Sequence, residues 1–355
     1  MPDYSSFLRD LLLITVQEQA SDLHISVGQP PIIRINGRLV PLVKMKELTP
    51  EDTQALAFEL MTGDQQQRFL NEKEIDFSYT IGGKARFRIN IFFQRGNISS
   101  ALRLIPMRIP TIEELNLPSA LYEFTKPSQG FLLITGPSSH GKSTTLAALI
   151  NEINKTRYEH IITIEDPIEY IFEEDKCIID QREVYQDTLS FSRALKSTFR
   201  QDPDVIMVGE MRDVETMSTA ITAAETGHLV FATLHTNSAS QTIHRIVDSF
   251  PPEQQGQIRA QLAASLLGVI SQRLIPGVKG GLVPACEIML TTPAVANLIR
   301  ENKIHELDLV IETSTELGMI TLNRALANLI KMKQISLKNA LAYSLSANEL
   351  RRLLH

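Results

Sequence analysis

The sequence predicts an α/β protein in two domains, a small α+β domain followed by a larger one built on a parallel sheet. Four short, continuously apolar runs, at 131–135, 161–164, 205–208 and 229–233, are separated by helix-like stretches. Parallel strands buried on both faces read this way. Between residues 85 and 93 the odd positions Ala85, Phe87, Ile89, Ile91 and Phe93 are apolar, and Arg86, Arg88 and Asn90 fall between them. That alternation marks a strand with one covered face. A length of 355 residues suits two such domains, or three smaller ones.

The elements follow in order. Phe7, Leu8, Leu11, Leu12 and Val16 recur at helical spacing and predict a first helix from Tyr4 to about Glu18. Residues 32–35 form an extended run entering Asn36-Gly37, a hairpin-type turn, and Leu39-Val40 resume the extension. Residues 50–71 read as helical, with Pro50 near the start, and strands follow at 85–93 and 100–105. These elements make up a domain over 1–105. Pro106, Pro110 and Pro118 punctuate a linker over 106–118. The strand-and-helix core occupies 119–290. A helical region closes the chain over 291–355, with helices at 294–301, 322–331 and 337–354.

Hydrophobic residues at 43% and charged residues at 21% exclude disorder, collagen and coiled coil. A net charge of −6 argues against nucleic acid as the principal partner. Two cysteines, Cys177 and Cys286, cannot build a disulfide scaffold or a four-cysteine zinc site. The N-terminus has no basic leader, and the apolar run 11–14 is far too short to span a bilayer. The expected compartment is the reducing cytosol.

The chemistry falls at the ends of the apolar runs. Gly136-Pro137-Ser138-Ser139-His140-Gly141-Lys142-Ser143 matches the phosphate-loop pattern, follows a strand and leads through Thr144 into a helix, the context the motif requires. Backbone N–H groups of such a loop point at phosphates, and the helix N-terminus adds partial positive charge. Lys142 would bridge the outer phosphates of ATP and the Ser143 hydroxyl would ligate Mg²⁺. Ser139 stands where a sharp bend favours glycine, so it is expected to carry backbone strain. His140 is expected to face solvent. The second run ends in Glu165-Asp166-Pro167-Ile168-Glu169, whose carboxylates would orient water or hold Mg²⁺; a helix cap or solvated loop is the plainer alternative. The third run ends in Gly209-Glu210, where Glu210 would polarise the attacking water and share the metal. His228 and His235 bracket the fourth run. Each alone reads as a packing residue, whereas one nucleotide site accounts for all four strand ends. Arg86, Arg88, Arg95 and Arg103 form either a solvated sheet face or a source of an arginine reaching a neighbouring subunit's γ-phosphate.

Together these segments resemble the secretion-ATPase superfamily, most closely the type IV pilus retraction ATPases. In the first domain the likeness rests on Ser21-Asp22-Leu23-His24, Pro30-Pro31, Asn36-Gly37, Arg86-Phe87-Arg88 and Gln94-Arg95-Gly96. In the second it rests on the phosphate loop, 164–170, Gln181-Arg182-Glu183 and 200–204. Segments 209–213, 225–228, 233–237, 244–248 and Phe250-Pro251 complete it. The resemblance implies a PAS-like N-terminal domain, a RecA-like P-loop NTPase domain and a homohexameric ring hydrolysing ATP with Mg²⁺ to power pilus retraction and twitching motility. It assigns Lys142 and Ser143 to phosphate and Mg²⁺, Glu210 to catalysis, and Glu165, Asp166 and Glu169 to an acidic box. His228 and His235 become a nucleotide-sensing histidine box, and Arg86 and Arg103 the arginines donated in trans. It further implies a peripheral position at the cytoplasmic face of the inner membrane, on a PilC-like platform protein and beside a PilU-like paralogue.

Two departures stand out. The family loop usually reads Gly-Pro-Thr-Gly-Ser-Gly-Lys, against Gly-Pro-Ser-Ser-His-Gly-Lys here, and Ala296 replaces the first arginine of an Ala-Ile-Arg-Asn-Leu-Ile-Arg motif. Extension and secretion relatives usually carry a four-cysteine zinc module, which two cysteines rule out. An accessory paralogue, a regulatory ring that binds nucleotide without turnover, and a DNA-handling RecA relative are the other readings. The acidic charge and the acidic and histidine boxes count against the last.

Overall fold

A computed structural model describes residues 3–35, 37–82, 85–105 and 108–354. Asn36 of the expected turn and Pro106 at the head of the expected linker lie outside the described residues. The chain forms two compact units. One is Met1–Arg108 with Pro167–Ile171, and the other is Ile109–Asp166 with Phe172–His355. The sequence places the whole acidic box in the second domain; by packing, Pro167–Ile171 belongs to the first unit.

The first unit opens with α1 (Tyr4–Gln17), which starts where the Asp3 carboxylate accepts the Ser6 N–H and buries Leu8, Leu11 and Leu12. β1 (Asp22–Ile25), β2 (Ile32–Ile35) and β3 (Arg38–Pro41) follow, then α2 (Pro50–Leu60) and α3 (Gly63–Glu72). β4 (Glu74–Ile81), β5 (Ala85–Gln94) and β6 (Asn97–Ile105) complete an antiparallel six-stranded sheet in the order β3-β2-β1-β6-β5-β4. The single helix expected over 50–71 is two. Thr49 with Asp52, and Thr62 with Gln65, each form a capping box, so a new helix starts where the first has ended at Met61. β4 goes unpredicted although Ile75, Phe77, Tyr79 and Ile81 alternate. Ala85, Phe87, Ile89 and Ile91 of β5 are buried with α1 and α2 in one core.

The second unit alternates strand and helix: β7 (Gly130–Thr135), α4 (Lys142–Thr156), β8 (His160–Glu165), β9 (Ile178–Glu183), α5 (Phe191–Thr198), β10 (Val205–Val208), α6 (Val214–Glu225), β11 (Leu229–Leu234), α7 (Ala239–Asp248) and α8 (Pro252–Ser265). The hairpin β12 (Leu266–Pro276) and β13 (Leu282–Leu290) precedes α9 (Pro293–Arg300), α10 (Leu307–Thr313), α11 (Leu322–Lys331), α12 (Leu337–Tyr343) and α13 (Ala347–Leu354). The seven strands run β13-β12-β7-β11-β10-β8-β9, parallel except for the antiparallel β12–β13 pair. β7, β10 and β11 are buried along their whole length, as continuously apolar runs require. Phe131 and Phe231 are fully buried, and truncating either to alanine should cost ~3–5 kcal/mol. The helix expected over 337–354 breaks at Ser344, whose backbone is extended. A separate small core of Ile275, Leu322, Leu326, Ile335, Ala340 and Leu350 seats α11 to α13 on the hairpin.

Candidate nucleotide-binding site

Strand register builds the site. Thr135 of β7 lies beside Leu234 of β11, and Val208 of β10 lies beside both Ala232 of β11 and Ile164 of β8. Because these strands are parallel, whatever follows them emerges at one edge of the sheet. Residues 136–143, 235, 209–210 and 165–166 therefore share that edge.

The loop after β7 is shaped by positive φ at Gly136 (141°), Ser139 (63°) and Gly141 (78°). A Cβ at Gly136 would collide with the Gln272 carbonyl oxygen, so only glycine fits there. Ser139 bears the strain its position suggested. Helix α4 begins after Gly141, which stands in the left-handed region with no side-chain cap hydrogen bond, so the positive end of the helix faces the loop. Pro137 is half-buried and Ser138 exposed.

Lys142 is buried at the centre. Its Nζ donates to the carbonyls of Gly136 and Pro137, both at 2.9 Å, and to Nδ1 of His235 at 3.3 Å. An ammonium can only donate, so Nδ1 of His235 is the acceptor and the ring proton sits on Nε2. Nε2 in turn lies 3.0 Å from Oε1 of Glu210. His235 thus bridges Lys142 and the acid just beyond β10. Ser138 Oγ is a further 3.4 Å neighbour of the same Nδ1. The other carboxylate oxygen of Glu210 accepts from Nε of Arg212 at 2.9 Å, and Arg212 reaches Asp166 at 3.5 Å. Glu165 is buried at the end of β8, accepting from Thr163 Oγ1 at 2.8 Å and Gln181 Nε2 at 3.3 Å. The Thr233 hydroxyl donates to the Gly209 carbonyl at 2.5 Å and ties the β10 and β11 ends together.

Other expected residues lie elsewhere. His228 precedes β11 at its opposite end, where Nδ1–H donates to the Ala223 carbonyl at 2.9 Å and the ring stands edge-on to Phe199. It closes α6 and packs against α5's end, and this chain does not bring it to Lys142. His140, expected to face solvent, is docked instead: Nδ1 accepts the Leu274 N–H at 2.8 Å, and the ring meets Tyr343 edge-on at 6.0 Å. Burial, and then the charges of Arg273 and Lys142, lower its pKa, in keeping with the neutral acceptor this bond needs.

The arginines and Glu169 belong to the first unit. Arg86 is buried, donating to the Ile168 carbonyl at 3.3 Å and to the Thr80 and Ser78 hydroxyls at 3.1 and 2.5 Å. Arg88 pairs with Glu169 at 3.6 Å. Arg103 is exposed and pairs with Asp22 at 2.9 Å. Burial opposes ionisation of Asp22, but the Ser21 hydroxyl and Arg103 hold its carboxyl below the usual range. Arg86 thus donates within its own unit, and of the two arginines expected to act in trans Arg103 is the exposed one.

Sequence reasoning missed Gln272 and Arg273, because β12 follows α8 with no turn residue to announce it. Gln272 is buried; it accepts from Thr145 Oγ1 at 2.7 Å and donates to the His140 carbonyl at 2.9 Å. A glutamine inside an apolar run was the available signal.

A glycine-bearing loop between strand β7 and helix α4 in a mainly parallel sheet, with acids and a histidine at the ends of β8, β10 and β11, is the arrangement of an ATPase of the secretion type. The chain belongs to the type II/IV secretion system protein family, which matches residues 7–313. It is 47% identical to the type IV pilus retraction ATPase PilT of Pseudomonas aeruginosa over 94% of this chain and 96% of that protein. It is 44% identical to the type IV pilus ATPase PilU of the same organism, over 96% of this chain and 89% of that one. The crystal structure of the pilus retraction motor PilT with bound ADP superposes with a TM-score of 0.90 at 47% identity, covering 97% of this chain and 98% of that one. Among the described residues no helix is long and apolar enough to cross a membrane.

Proposed function

We propose that this chain is an Mg²⁺-dependent P-loop ATPase that works as a homohexameric motor for type IV pilus retraction. The observation that carries the reading is the relay Lys142–His235–Glu210, set on the strand edge of a chain so similar to PilT. Lys142 and the N-terminus of α4 suit the phosphates of ATP, and Ser143, Asp166 and Glu210 are the oxygen donors assigned to Mg²⁺. Among the described residues no three His, Cys, Asp or Glu groups cluster to hold a metal alone. A cation carried mainly by phosphate oxygens and water fits such a donor set.

Glu210, oriented by His235 and Arg212, is the base that accepts a proton from the attacking water. Lys142 neutralises charge as it develops on the transferred phosphoryl group. A phosphate in the loop competes with His235 for Lys142, so the His235–Glu210 contact reports whether the outer phosphate is present. The linker over 106–118 serves as the hinge that turns this report into movement. Glu165 and Glu169, and Arg86 and Arg103 from a neighbouring subunit, are assigned supporting roles at the site, with Arg103 the first to test. The ring works peripherally at the cytoplasmic face of the inner membrane on a PilC-like platform protein.

Expression in a piliated host lacking both its retraction ATPase and the accessory paralogue tests the reading. Restored twitching, lost in Lys142→Ala, supports it. A full-length ring that turns over ATP but restores twitching only beside a PilT-type partner favours the accessory role, the second reading that similarity to PilU supports.

A further inference from the structure

Strand β12 is the neighbour of the phosphate-loop strand β7, and three consecutive residues on it hold three different pieces of the second unit. Gln272 grips the loop and α4 through the His140 carbonyl and Thr145. Leu274 donates its backbone N–H to the His140 ring. Arg273 donates to the carbonyl of Tyr343, the last residue of α12, at 2.9 Å, and to Asn237 Oδ1, two residues beyond His235, at 3.4 Å. The His140 ring closes the circuit by packing on Tyr343 at 6.0 Å. The phosphate loop, the loop carrying His235 and the C-terminal end of α12 are therefore joined through two side chains.

The chemistry is specific. A guanidinium on a helix-terminal carbonyl satisfies an orphan acceptor and suits the negative end of the helix dipole. Nε of Arg273 is buried with no acceptor among the described residues, an expense that packing alone does not explain. A side chain as short as serine at position 140 could not reach both the Leu274 N–H and the Tyr343 ring.

We propose that His140 and Arg273 are positioning residues that lock the nucleotide site to the C-terminal end of α12, so that filling the phosphate loop and setting the C-terminal helices are one event. This rests on the ATPase reading above. Neither residue transfers a proton or touches the reacting atoms in this account. Each acts by holding another group in place, His140 the loop and Arg273 the segment after His235.

Two measurements on the full-length protein test it. In steady-state ATPase assays His140→Ala should raise KM for ATP about tenfold, equivalent to ~1.4 kcal/mol, with kcat changed less than about threefold. That is the cost of orphaning one part-buried donor. His140→Asn places an amide oxygen where Nδ1 accepts, and should recover most of the lost KM. A variant as poor as His140→Ala would overturn the bonding role. In hydrogen exchange, ADP with Mg²⁺ should protect residues 337–345 as well as 136–145 in the wild type. Arg273→Gln should keep the second response and lose the first. Protection at 136–145 with none at 337–345 in the wild type, or an unchanged response at 337–345 in Arg273→Gln, refutes the coupling alone. No protection at 136–145 either refutes the nucleotide-site reading itself, and the coupling falls with it.

Discussion

The two ends of β11 carry one histidine each, seven positions apart, and their fates are opposite. His235 leaves the strand at the edge where β7, β8 and β10 also end, and so stands between Lys142 and Glu210. His228 enters at the other edge, where it spends a ring proton on the Ala223 carbonyl and stabilises α6. Residue type is the same; the direction of a parallel strand decides which one meets the chemistry. The resemblance pairs them in one motif, and the fold of a single chain separates them by the length of a strand.

The largest expected effect on this contrast comes from the shared partner. Lys142→Ala should weaken ATP binding ~100-fold or more, since it removes the buried ammonium that the proposed function sets against the phosphates. Calorimetric titration of nucleotide into the purified variant checks this; retained affinity would show that the loop carbonyls, not phosphate, are the lysine's true partners. Next come the histidines themselves. His235→Ala should lower kcat by ~100-fold with little change in Tm, while His228→Ala should lower stability by ~1 kcal/mol and kcat by less than about threefold. Turnover and thermal denaturation on both variants break the comparison if the two behave alike.

A smaller effect concerns Glu287 of β13, which accepts the N–H of Ala239 at the start of α7, 2.7 Å away, and so supports the segment after His235. Burial raises its carboxyl to about 7 from an ordinary 4.5, against the pull of the Ala239 and Leu322 amides. The folded chain therefore prefers the protonated form. Stability is full below the unfolded value and declines as pH rises through about 7, by ~3 kcal/mol in the alkaline limit. Glu287→Gln stays neutral, so its Tm relative to wild type should rise between about pH 5 and about pH 8.5. A constant difference contradicts the shift. The smallest effect is at Ser139, whose φ of 63° glycine tolerates better. Ser139→Gly should gain at most ~1 kcal/mol, seen as a Tm rise of a few degrees in thermal denaturation.

How much was legible follows from the same geometry. The apolar runs announced β7, β8, β10 and β11 because strands buried on both faces need no polar alternation, and the acids and His235 at their ends were placed with them. β9 was missed because it is an edge strand of mixed composition, and β12 because its apolar residues continue a helix without a break. Losing β12 hid Gln272 and Arg273, and with them the reason His140 is not at the surface. The arginine face of β5 was visible as alternation, but alternation does not say which guanidinium is spent at home; Arg86, bonded to the Ile168 carbonyl, is. The helices over 50–71 and 337–354 merged in the sequence because capping at Thr62 and the extended Ser344 are side-chain and backbone details that periodicity averages away.

Everything proposed for this chain depends on ATP hydrolysis at the strand edge carrying Lys142, His235 and Glu210. Steady-state phosphate release by the purified chain with Mg²⁺, beside Glu210→Gln with ADP affinity measured on both, tests it most directly. Turnover is expected in the wild type, with a loss of ~100-fold or more in the variant and ADP affinities within about threefold of each other. Equal turnover in both proteins, or tight nucleotide binding by a wild type that releases no phosphate, would contradict it.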